Sequence, residues 1–279
     1  KHLMLTHHSA ATPPTYTLRN DKGKVTKTLQ DNAALKQKVD GMNLASIEFF
    51  QFQTQDGVDL NGVMVKPANF DASKKYPVIL FQYSGPGSQQ VQDSWYVGNC
   101  SAALLERYMA QEGFVSVIVD GRGTGGRGAE FEKQIYLKLG QLESHDQVET
   151  AIYLSKQPWV DANHIGIWGW SFGGFNTLMS MSEGRPVFYA GVAVAPPTSW
   201  RYYDTVYTER FMRTPKENPE GYDCSPISRA KNLSGSLLII HGSADDNVHY
   251  RNVAEYTEAL VHADKDFRQL TYTNRNHSI

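Results

Sequence analysis

The chain has 279 residues, and its 27 Lys and Arg against 29 Asp and Glu give a formal net charge of −2. A protein that coats phosphates needs a basic surplus, so this balance argues against nucleic acid as a partner. No apolar run approaches the roughly 20 residues that cross a bilayer. Two cysteines, Cys100 and Cys224, cannot build a multi-bridge framework. Neither CxxC nor HExxH occurs, and we expect neither a metal nor a cofactor.

The first 45 residues differ in pattern from the rest. The stretch TYTLRNDKGKVTKTL alternates in polarity around an Asn-Asp-Lys-Gly turn, which is typical of a hairpin. One hairpin is too small to be stable alone. We therefore interpret residues 1–45 as the closing strands and linker of a larger all-β unit, and we expect the natural protein to extend beyond this chain at both ends.

From residue 46 the pattern changes to two strands around a Gln-Asp-Gly turn, followed by strands that alternate with helices. The strands read as near-continuous apolar runs, which is typical of a parallel sheet covered on both faces. The sequence therefore predicts an α/β domain over residues 46–279. Its predicted strands are SIEFFQFQ, DLNGVMVKP, YPVILFQYSG, FVSVIVDGRG, HIGIWGWS, YAGVAVAPP, SLLIIHGSADD and FRQLTYTN, and its predicted helices are CSAALLERYMAQEG, DQVETAIYLSKQ, residues 173–182 and NVAEYTEALVHAD.

The segment HIGIWGWSFGGFN places Ser171 between Gly169 and Gly173, after a predicted strand and before a predicted helix. A strand-to-helix turn that simply needs small residues would look similar. In the strand–turn–helix context, however, Gly-x-Ser-x-Gly is typical of a nucleophile elbow, in which the serine occupies a strained bend above the sheet. We predict that Ser171 is a nucleophile.

A serine hydroxyl needs a base, normally a histidine that a carboxylate orients. In folds with a nucleophile elbow the chain order is serine, acid, histidine, each after a strand. Asp245 and His277 follow predicted strands in that order. Asp246 competes with Asp245 for the acid, and sequence position separates the two only weakly. The rival histidines are His241, interpreted as a core residue, and His249, interpreted as a surface residue.

An acyl-transfer site also needs hydrogen-bond donors for the developing oxyanion. The backbone N–H of Phe172, which follows the candidate nucleophile, is the expected first donor. The second comes from the loop after the third strand, here YSGPG. Since Pro86 has no N–H, the side chain of Tyr83 is a candidate, although packing at the rim would explain that tyrosine equally well.

The segment GRGTGGRG contains a literal GxGxxG and raises a different class, a dinucleotide-binding oxidoreductase. The motif follows an inner strand and does not lead at once into a helix, which pyrophosphate binding requires. The same hypothesis leaves Ser171, Asp245 and His277 unexplained. We interpret the segment as a glycine-rich loop, in which Arg122 is a candidate tether between neighbouring loops.

The segment PPTSWRYYDTVYTERFM is rich in aromatic residues. On one helix Trp200, Tyr203 and Tyr207 would share a face. Core packing is the more common explanation of such a stripe. Since the segment follows a strand whose end borders the elbow, the same face could also line a flat apolar pocket for a compact ring.

Together, GWSFGGF, DGRGTG, APPTSWRYYDTVYTERFM, HGSADDNVH and NRNHSI closely resemble the hydrolase domain of the prolyl oligopeptidase family, in its dipeptidyl-peptidase branch. The likeness runs from about residue 46 to the end. It implies an α/β-hydrolase fold with a mostly parallel eight-stranded sheet, preceded by the end of a β-propeller. It also implies a serine exopeptidase that releases N-terminal dipeptides with Pro, or less well Ala, at the second position.

Residue by residue, the resemblance matches Ser171, Asp245 and His277 to the triad, and Tyr83 to a side-chain oxyanion donor. Family tyrosines are replaced by Phe172 and Phe175, which leaves the backbone N–H of residue 172 unaffected. The matches to the substrate pocket are Trp200, Tyr203, Tyr207 and Val248, with Asn247 as the ligand of a substrate carbonyl and Pro197 in place of an aliphatic residue usual in mammalian members.

The Glu pair that binds the substrate amine in this family belongs to the propeller. This chain therefore cannot itself show the restriction to N-termini. A prolyl tripeptidyl or endo-acting peptidase, an esterase, and a catalytically silent binding module remain alternatives. The resemblance further implies peptide substrates, a homodimer, and a periplasmic, cell-surface or secreted location.

Overall fold

The computed structural model of the protein describes residues 2–42, 44–98 and 101–279, so Cys100 lies outside the described residues. The described chain forms two β-sheets and a set of helices. The strands are β1 (His2–Ser9), β2 (Thr12–Asn20), β3 (Val25–Gln30), β4 (Ile47–Gln53), β5 (Asp59–Val65), β6 (Tyr76–Phe81), β7 (Val115–Asp120), β8 (Val160–Trp170), β9 (Ala190–Val194), β10 (Ser236–Gly242) and β11 (Arg268–Tyr272). The helices are α1 (Ala33–Asp40), α2 (Leu104–Gln111), α3 (Ala129–Glu132), α4 (Gln141–Ser155), α5 (Phe172–Met181), α6 (Thr205–Met212), α7 (Pro219–Asp223) and α8 (Arg251–His262).

The larger sheet has eight strands in the order β4-β5-β7-β6-β8-β9-β10-β11. Strand β5 pairs antiparallel with both β4 and β7. The remaining pairs are parallel, so that β6, β7, β8, β9, β10 and β11 all run in one direction. The eight strands predicted from residue 46 onward, and the mostly parallel α/β-hydrolase arrangement, are confirmed. Because parallel strands end at the same edge, the loops after β6, β8, β9, β10 and β11 gather at one rim.

Helices cover both faces of this sheet, as predicted. Strand β7 is buried along its whole length and sends alternate side chains to opposite faces. Val117 and Val119 pack in the core beneath α4, α5 and α8, whereas Ile118 packs with Ala110 of α2 on the other face. Burial on both faces explains why the strand sequences are apolar at nearly every position.

The face that α2 covers also carries an open groove of about 780 Å³ along β6, β8 and β9. Its lining is almost entirely apolar and includes Phe81, Met109 and Trp168. This groove lies on the flat of the sheet rather than at the rim where the strands end. None of the predicted site residues lines it, so this groove is not the candidate site.

The smaller sheet contains the three antiparallel strands β1, β2 and β3. The predicted hairpin corresponds to β2 and β3, and β1 pairs with the other side of β2. Every side chain of β3 is exposed. The small sheet contacts the segment between β6 and α2 of the α/β domain. There the Ala10 N–H donates to Asp93 at 2.8 Å, and the Trp95 N–H donates to Nδ1 of His8 in β1 at 3.2 Å. Within the described residues no helix is long and apolar enough to span a bilayer.

Candidate active site

Ser171 lies on a strained bend between β8 and α5. Its φ of 58° and ψ of −118° fall in a region that residues other than glycine rarely occupy. The bend is fixed on both sides, because the Ser171 N–H donates to the Val194 carbonyl at 2.8 Å and the Ser171 carbonyl accepts from the Phe175 N–H at 2.9 Å. The predicted elbow is therefore present in the structure.

The glycines of the motif are required by close backbone contacts. A Cβ atom on Gly169 would lie 2.5 Å from the carbonyl oxygen of Gly173 and 2.6 Å from that of Gln82. One on Gly173 would clash with the same Gln82 oxygen, and one on Gly174 would lie 2.6 Å from the Val194 oxygen. The end of β6, the bend and the first turn of α5 thus pack backbone against backbone.

Asp245 and His277 meet at the rim, although 32 residues separate them in the chain. His277 Nδ1 lies 2.7 Å from Asp245 Oδ2. The other carboxylate oxygen accepts from the N–H groups of Asn247 and Val248 at 2.9 and 2.8 Å. The Asp245 side chain is fully buried, whereas 21% of the His277 side chain is exposed. The carboxylate is therefore held rigidly. It engages Nδ1 of His277, so that Nε2 is the ring nitrogen available to exchange a proton.

A second histidine, His241, contacts the same carboxylate. Its Nε2 lies 3.3 Å from Asp245 Oδ2 and 2.8 Å from the Val248 carbonyl oxygen. Burial lowers the pKa of His241, so its ring is neutral with the proton on Nε2, where it donates. The His241 side chain is completely buried and cannot reach a substrate, which leaves His277 as the accessible one of the two histidines that contact Asp245. The other rival, His249, is exposed, as expected of a surface residue.

The backbone of His277 is attached to the elbow itself. The indole N–H of Trp170, the residue before Ser171, donates to the His277 carbonyl at 3.1 Å. The Ser171 hydroxyl makes no hydrogen bond within the part of the chain that the structure describes. In unliganded enzymes the contact between nucleophile and base is often loose and tightens when substrate binds.

Tyr83 and Phe172 lie side by side next to the bend, with ring centroids 6.0 Å apart. Phe172 is the first residue of α5, so its N–H has no carbonyl partner within the helix. Burial raises the pKa of the Tyr83 phenol, which keeps its proton available for donation. The two side chains that flank the bend thus belong to the two candidate oxyanion donors, the Tyr83 hydroxyl and the Phe172 N–H.

The aromatic segment forms a cluster, but not through the single helix that its spacing suggests. Residues Trp200–Tyr202 form a short 3₁₀ helix, Tyr203 is extended, and α6 begins anew at Thr205. The break is set by Asp204, whose carboxylate accepts from the Tyr207 N–H at 2.8 Å. An aspartate before a helix-forming run is an N-cap signal that could have predicted it.

The rings nevertheless converge. The centroids of Trp200 lie 6.0 Å from Tyr203 and 6.1 Å from Tyr207, and those of the two tyrosines lie 5.4 Å apart. Trp200 also packs against Phe172 and Phe175 at 5.6 and 4.9 Å. Trp200 is buried, and both tyrosines are partly exposed. The cluster is thus an aromatic wall directly beside the elbow.

Asn247 joins this wall to the loop that carries Asp245. The Tyr203 hydroxyl donates to Asn247 Oδ1 at 2.8 Å, and the side-chain N–H groups of Asn247 have no hydrogen-bond partner within the described residues. A polar cavity of about 710 Å³ opens beside Tyr203 and Asn247. Val248 and Pro197, the remaining predicted pocket residues, are both buried.

The glycine-rich loop after β7 binds neighbouring loops together, as predicted for Arg122. The guanidinium pairs with Asp146 of α4 at 2.5 Å and with Asp56 of the β4–β5 turn at 2.9 Å. The loop leads directly into the four-residue helix α3, and the long helix α4 begins only at Gln141, so the glycines do not open a long helix as they do in a dinucleotide site. Within the described residues there is no cluster of three side chains that could hold a metal.

Comparison with known proteins gives consistent results. The model of the prolyl oligopeptidase family matches residues 102–279. Dipeptidyl peptidase 4 of Trichophyton equinum is 38% identical over 268 residues, which are 93% of this chain and 34% of that protein. The "Probable dipeptidyl-aminopeptidase B" of Arthroderma benhamiae is 41% identical over 259 residues, 90% of this chain and 27% of that protein. The matched part of this chain thus spans about a quarter to a third of the length of these relatives.

Among solved structures, the crystal structure of Porphyromonas gingivalis dipeptidyl peptidase 4 is 49% identical to this chain and superposes with a TM-score of 0.95. The match covers 100% of this chain and 39% of that one. The likeness therefore includes the small N-terminal sheet as well as the α/β domain.

Proposed function

Since this chain belongs to the prolyl oligopeptidase family, we propose that it carries the catalytic part of a serine exopeptidase that releases N-terminal dipeptides with Pro, and less well Ala, at the second position. The observation that carries the proposal is the arrangement at the rim. A strained serine, a histidine oriented by a buried carboxylate, two candidate oxyanion donors and an aromatic wall lie at the ends of neighbouring strands.

The reaction is an acyl transfer in two steps. His277 Nε2 takes the Ser171 proton while Ser171 Oγ attacks the carbonyl carbon of the second substrate residue, and the same imidazole then gives its proton to the leaving amine of the third. Water repeats the sequence on the acyl-enzyme and releases the dipeptide. Asp245 holds His277 in the tautomer whose Nε2 can accept a proton, and stabilises the imidazolium that forms.

The negative charge on the carbonyl oxygen is stabilised by the Phe172 N–H and the Tyr83 hydroxyl. Both donors are built into the protein before substrate arrives, so they need little reorganisation in the transition state. The raised pKa of Tyr83 keeps the phenol protonated near neutral pH and therefore able to donate.

Tyr83→Phe tests the second donor. We expect kcat to fall by about 10²–10³ with little change in KM, because the lost hydrogen bond forms only in the transition state. Steady-state kinetics on a Gly-Pro chromogenic amide measure the loss, and Tyr108→Phe, an exposed tyrosine of α2, is the matched control. A kcat within twofold of wild type would remove Tyr83 from the oxyanion site.

Specificity for proline follows from the aromatic wall. Trp200, Tyr203 and Tyr207 offer flat apolar surfaces for a compact ring, with Val248 and Pro197 as further lining. Burial raises the pKa of Tyr207, so that phenol is neutral and adds no charge to the pocket. Alanine would fill the same space less completely and gain less from apolar burial.

Asn247 is the proposed ligand of the substrate carbonyl that precedes the proline. Because the Tyr203 hydroxyl occupies Asn247 Oδ1, the amide presents its N–H groups outward, as a carbonyl requires. Tyr203→Phe should therefore raise KM by about fivefold to tenfold, the value of one hydrogen bond, with little change in kcat. Tyr202→Phe, the neighbouring tyrosine, is the control, and an unchanged KM in Tyr203→Phe would exclude this role.

A substrate panel tests the proposed function. The complete protein should cleave a free Gly-Pro amide, cleave Gly-Ala more slowly, and leave an N-acetylated Gly-Pro amide intact. Preferred cleavage of a tripeptidyl amide, of the blocked amide or of simple esters would favour the tripeptidyl, endo-acting or esterase alternatives. Absence of all turnover, with no labelling by a fluorophosphonate, would indicate a silent binding module.

Residues 1–45 are proposed to be the closing strands of a β-propeller that precedes the hydrolase domain of residues 46–279. The support is the three-stranded antiparallel sheet, whose last strand is fully exposed and would be covered by further blades. We further propose, on the family resemblance, a homodimer and a periplasmic, cell-surface or secreted location. Size-exclusion chromatography with light scattering and cell fractionation test these two points.

A further inference from the structure

A cluster of buried polar side chains lies beneath the elbow, between the end of β6, α4 and the first turns of α5. Gln82, Ser84, Gln147, Asn176 and Thr177 are each at most 3% exposed, so none can touch a peptide substrate. Burying an amide costs free energy unless protein partners replace its hydrogen bonds to water. Aliphatic side chains would fill the same space without that requirement, which suggests that the hydrogen bonds themselves serve a purpose.

Gln82 is the centre of this cluster. Its Nε2 donates to the Gly173 carbonyl at 2.7 Å and to Thr177 Oγ1 at 3.1 Å. Its Oε1 accepts from Ser84 Oγ at 2.9 Å and from Asn176 Nδ2 at 3.1 Å. A side-chain amide has two N–H donors and two acceptor lone pairs. All four are used, which leaves Gln82 a single favourable orientation.

The hydrogen bonds of Gln82 link the two sources of the oxyanion donors. Gln82 immediately precedes Tyr83 at the end of β6, and Gly173 immediately follows Phe172 in the first turn of α5. The main chain of Gln82 already packs against Gly169 and Gly173 without space for a Cβ atom. Backbone contact therefore sets how close the two segments can approach, and the side-chain amide prevents them from separating or rotating.

We propose that Gln82 is a positioning residue that holds the Tyr83 hydroxyl and the Phe172 N–H at the spacing a tetrahedral oxyanion requires. The inference rests on the proposed acyl transfer and deepens it. Preorganised donors are effective only when they are aimed at the place where charge develops, and a misplacement of about 1 Å costs about 10²-fold in rate. Gln82 itself does not touch the reacting atoms.

Gln82→Met tests the proposal in the complete protein. Methionine keeps the length of the side chain and removes its donors and acceptors. We expect kcat for a Gly-Pro amide to fall about tenfold to a hundredfold, while KM stays near its wild-type value. A Xaa-Pro boronic acid, whose adduct with Ser171 mimics the tetrahedral state, should bind more weakly by the same factor. An aminoacyl pyrrolidide, which has no electrophile and cannot form an adduct, should bind as it does to wild type.

Gln147→Met is the matched control, because it makes the same change within the same cluster. Gln147 contacts Ser84 Oγ at 3.5 Å and the Val119 carbonyl at 3.1 Å, and it makes no hydrogen bond to α5. Its kcat should match wild type. If Gln82→Met does not fold, Asn176→Leu removes one of the four partners and should lower kcat and boronate affinity in the same direction by a smaller factor.

The outcomes separate the two proposals. Unchanged kcat in a folded Gln82→Met protein, or an equal loss of boronate and pyrrolidide affinity, would overturn the positioning role. A wild-type protein that cleaves no Gly-Pro amide would overturn the proposed function instead. The rate of fluorophosphonate labelling of Ser171 would then still test Gln82, because that reaction also builds negative charge on the oxygen beside Tyr83. Labelling about tenfold slower in Gln82→Met would support the role, and an equal rate would exclude it.

Discussion

Replacing Ser171 by Ala is expected to lower kcat for a Gly-Pro amide by about 10⁶, the scale on which serine proteases lose activity with their nucleophile. The reason is that Oγ forms the acyl bond. Ser84, which also has a positive φ near this rim, cannot replace it, because its side chain is buried and its hydroxyl donates to Gln82 Oε1. KM should change little, since the aromatic pocket remains. The fold should also survive, because the bend is fixed by backbone hydrogen bonds of Ser171 rather than by its side chain.

Steady-state kinetics with burst analysis, on protein freed of wild-type contamination, measure this effect. Ser155→Ala, at the exposed end of α4, is the matched control and should be as active as wild type. A Ser171→Ala protein that retained a tenth of wild-type turnover would exclude covalent catalysis by this residue.

The second large effect is expected from Asp245→Asn. The substitution keeps the shape of the side chain but turns an acceptor toward His277 into a possible N–H donor. The favoured His277 tautomer would then carry its proton on Nε2, where it could not accept the Ser171 proton. In serine proteases the same exchange costs about 10⁴ in kcat, and we expect a similar loss here.

Asp246→Asn is the control for that experiment, because Asp246 is the adjacent carboxylate and is exposed beside the polar cavity. Its kcat should match wild type. If Asp246→Asn produced the larger loss, the carboxylate partner of His277 would be Asp246 rather than Asp245. If both variants were fully active, His277 would need no carboxylate partner.

The strands and the elbow could be predicted because local sequence determines them. Apolar runs of strand length, glycines at positions where two backbones touch, and the chain order of Ser171, Asp245 and His277 each leave a readable pattern. The location of the three residues at one rim then follows from the parallel sheet. The spacing of Trp200, Tyr203 and Tyr207 predicts one continuous helix, whereas in the structure an extended Tyr203 and a new helix bring the rings together.

Contacts between distant segments left no such pattern. The bond from the Trp170 indole to the His277 carbonyl spans 107 residues, and the three hydrogen bonds from Gln82 to α5 span 91 to 95 residues. Their partners are mainly backbone carbonyls and buried polar side chains. Every residue has a backbone carbonyl, so the sequence does not show which one will be the partner. The shared use of Asp245 by His241 and His277 was missed for the same reason. Strand β1 and helix α1 contain no buried residue, so their sequences carry no periodic apolar signal.

The most direct test of the account is a crystal structure of the complete protein with a Xaa-Pro boronic acid. We expect the boron atom to be bonded to Ser171 Oγ, with one boronate oxygen within hydrogen-bonding distance of both Tyr83 Oη and the Phe172 N–H. His277 Nε2 should lie about 3 Å from Ser171 Oγ or from the second boronate oxygen. Boron bonded to another residue, or an imidazole of His277 that faces away from the adduct, would contradict the proposed mechanism.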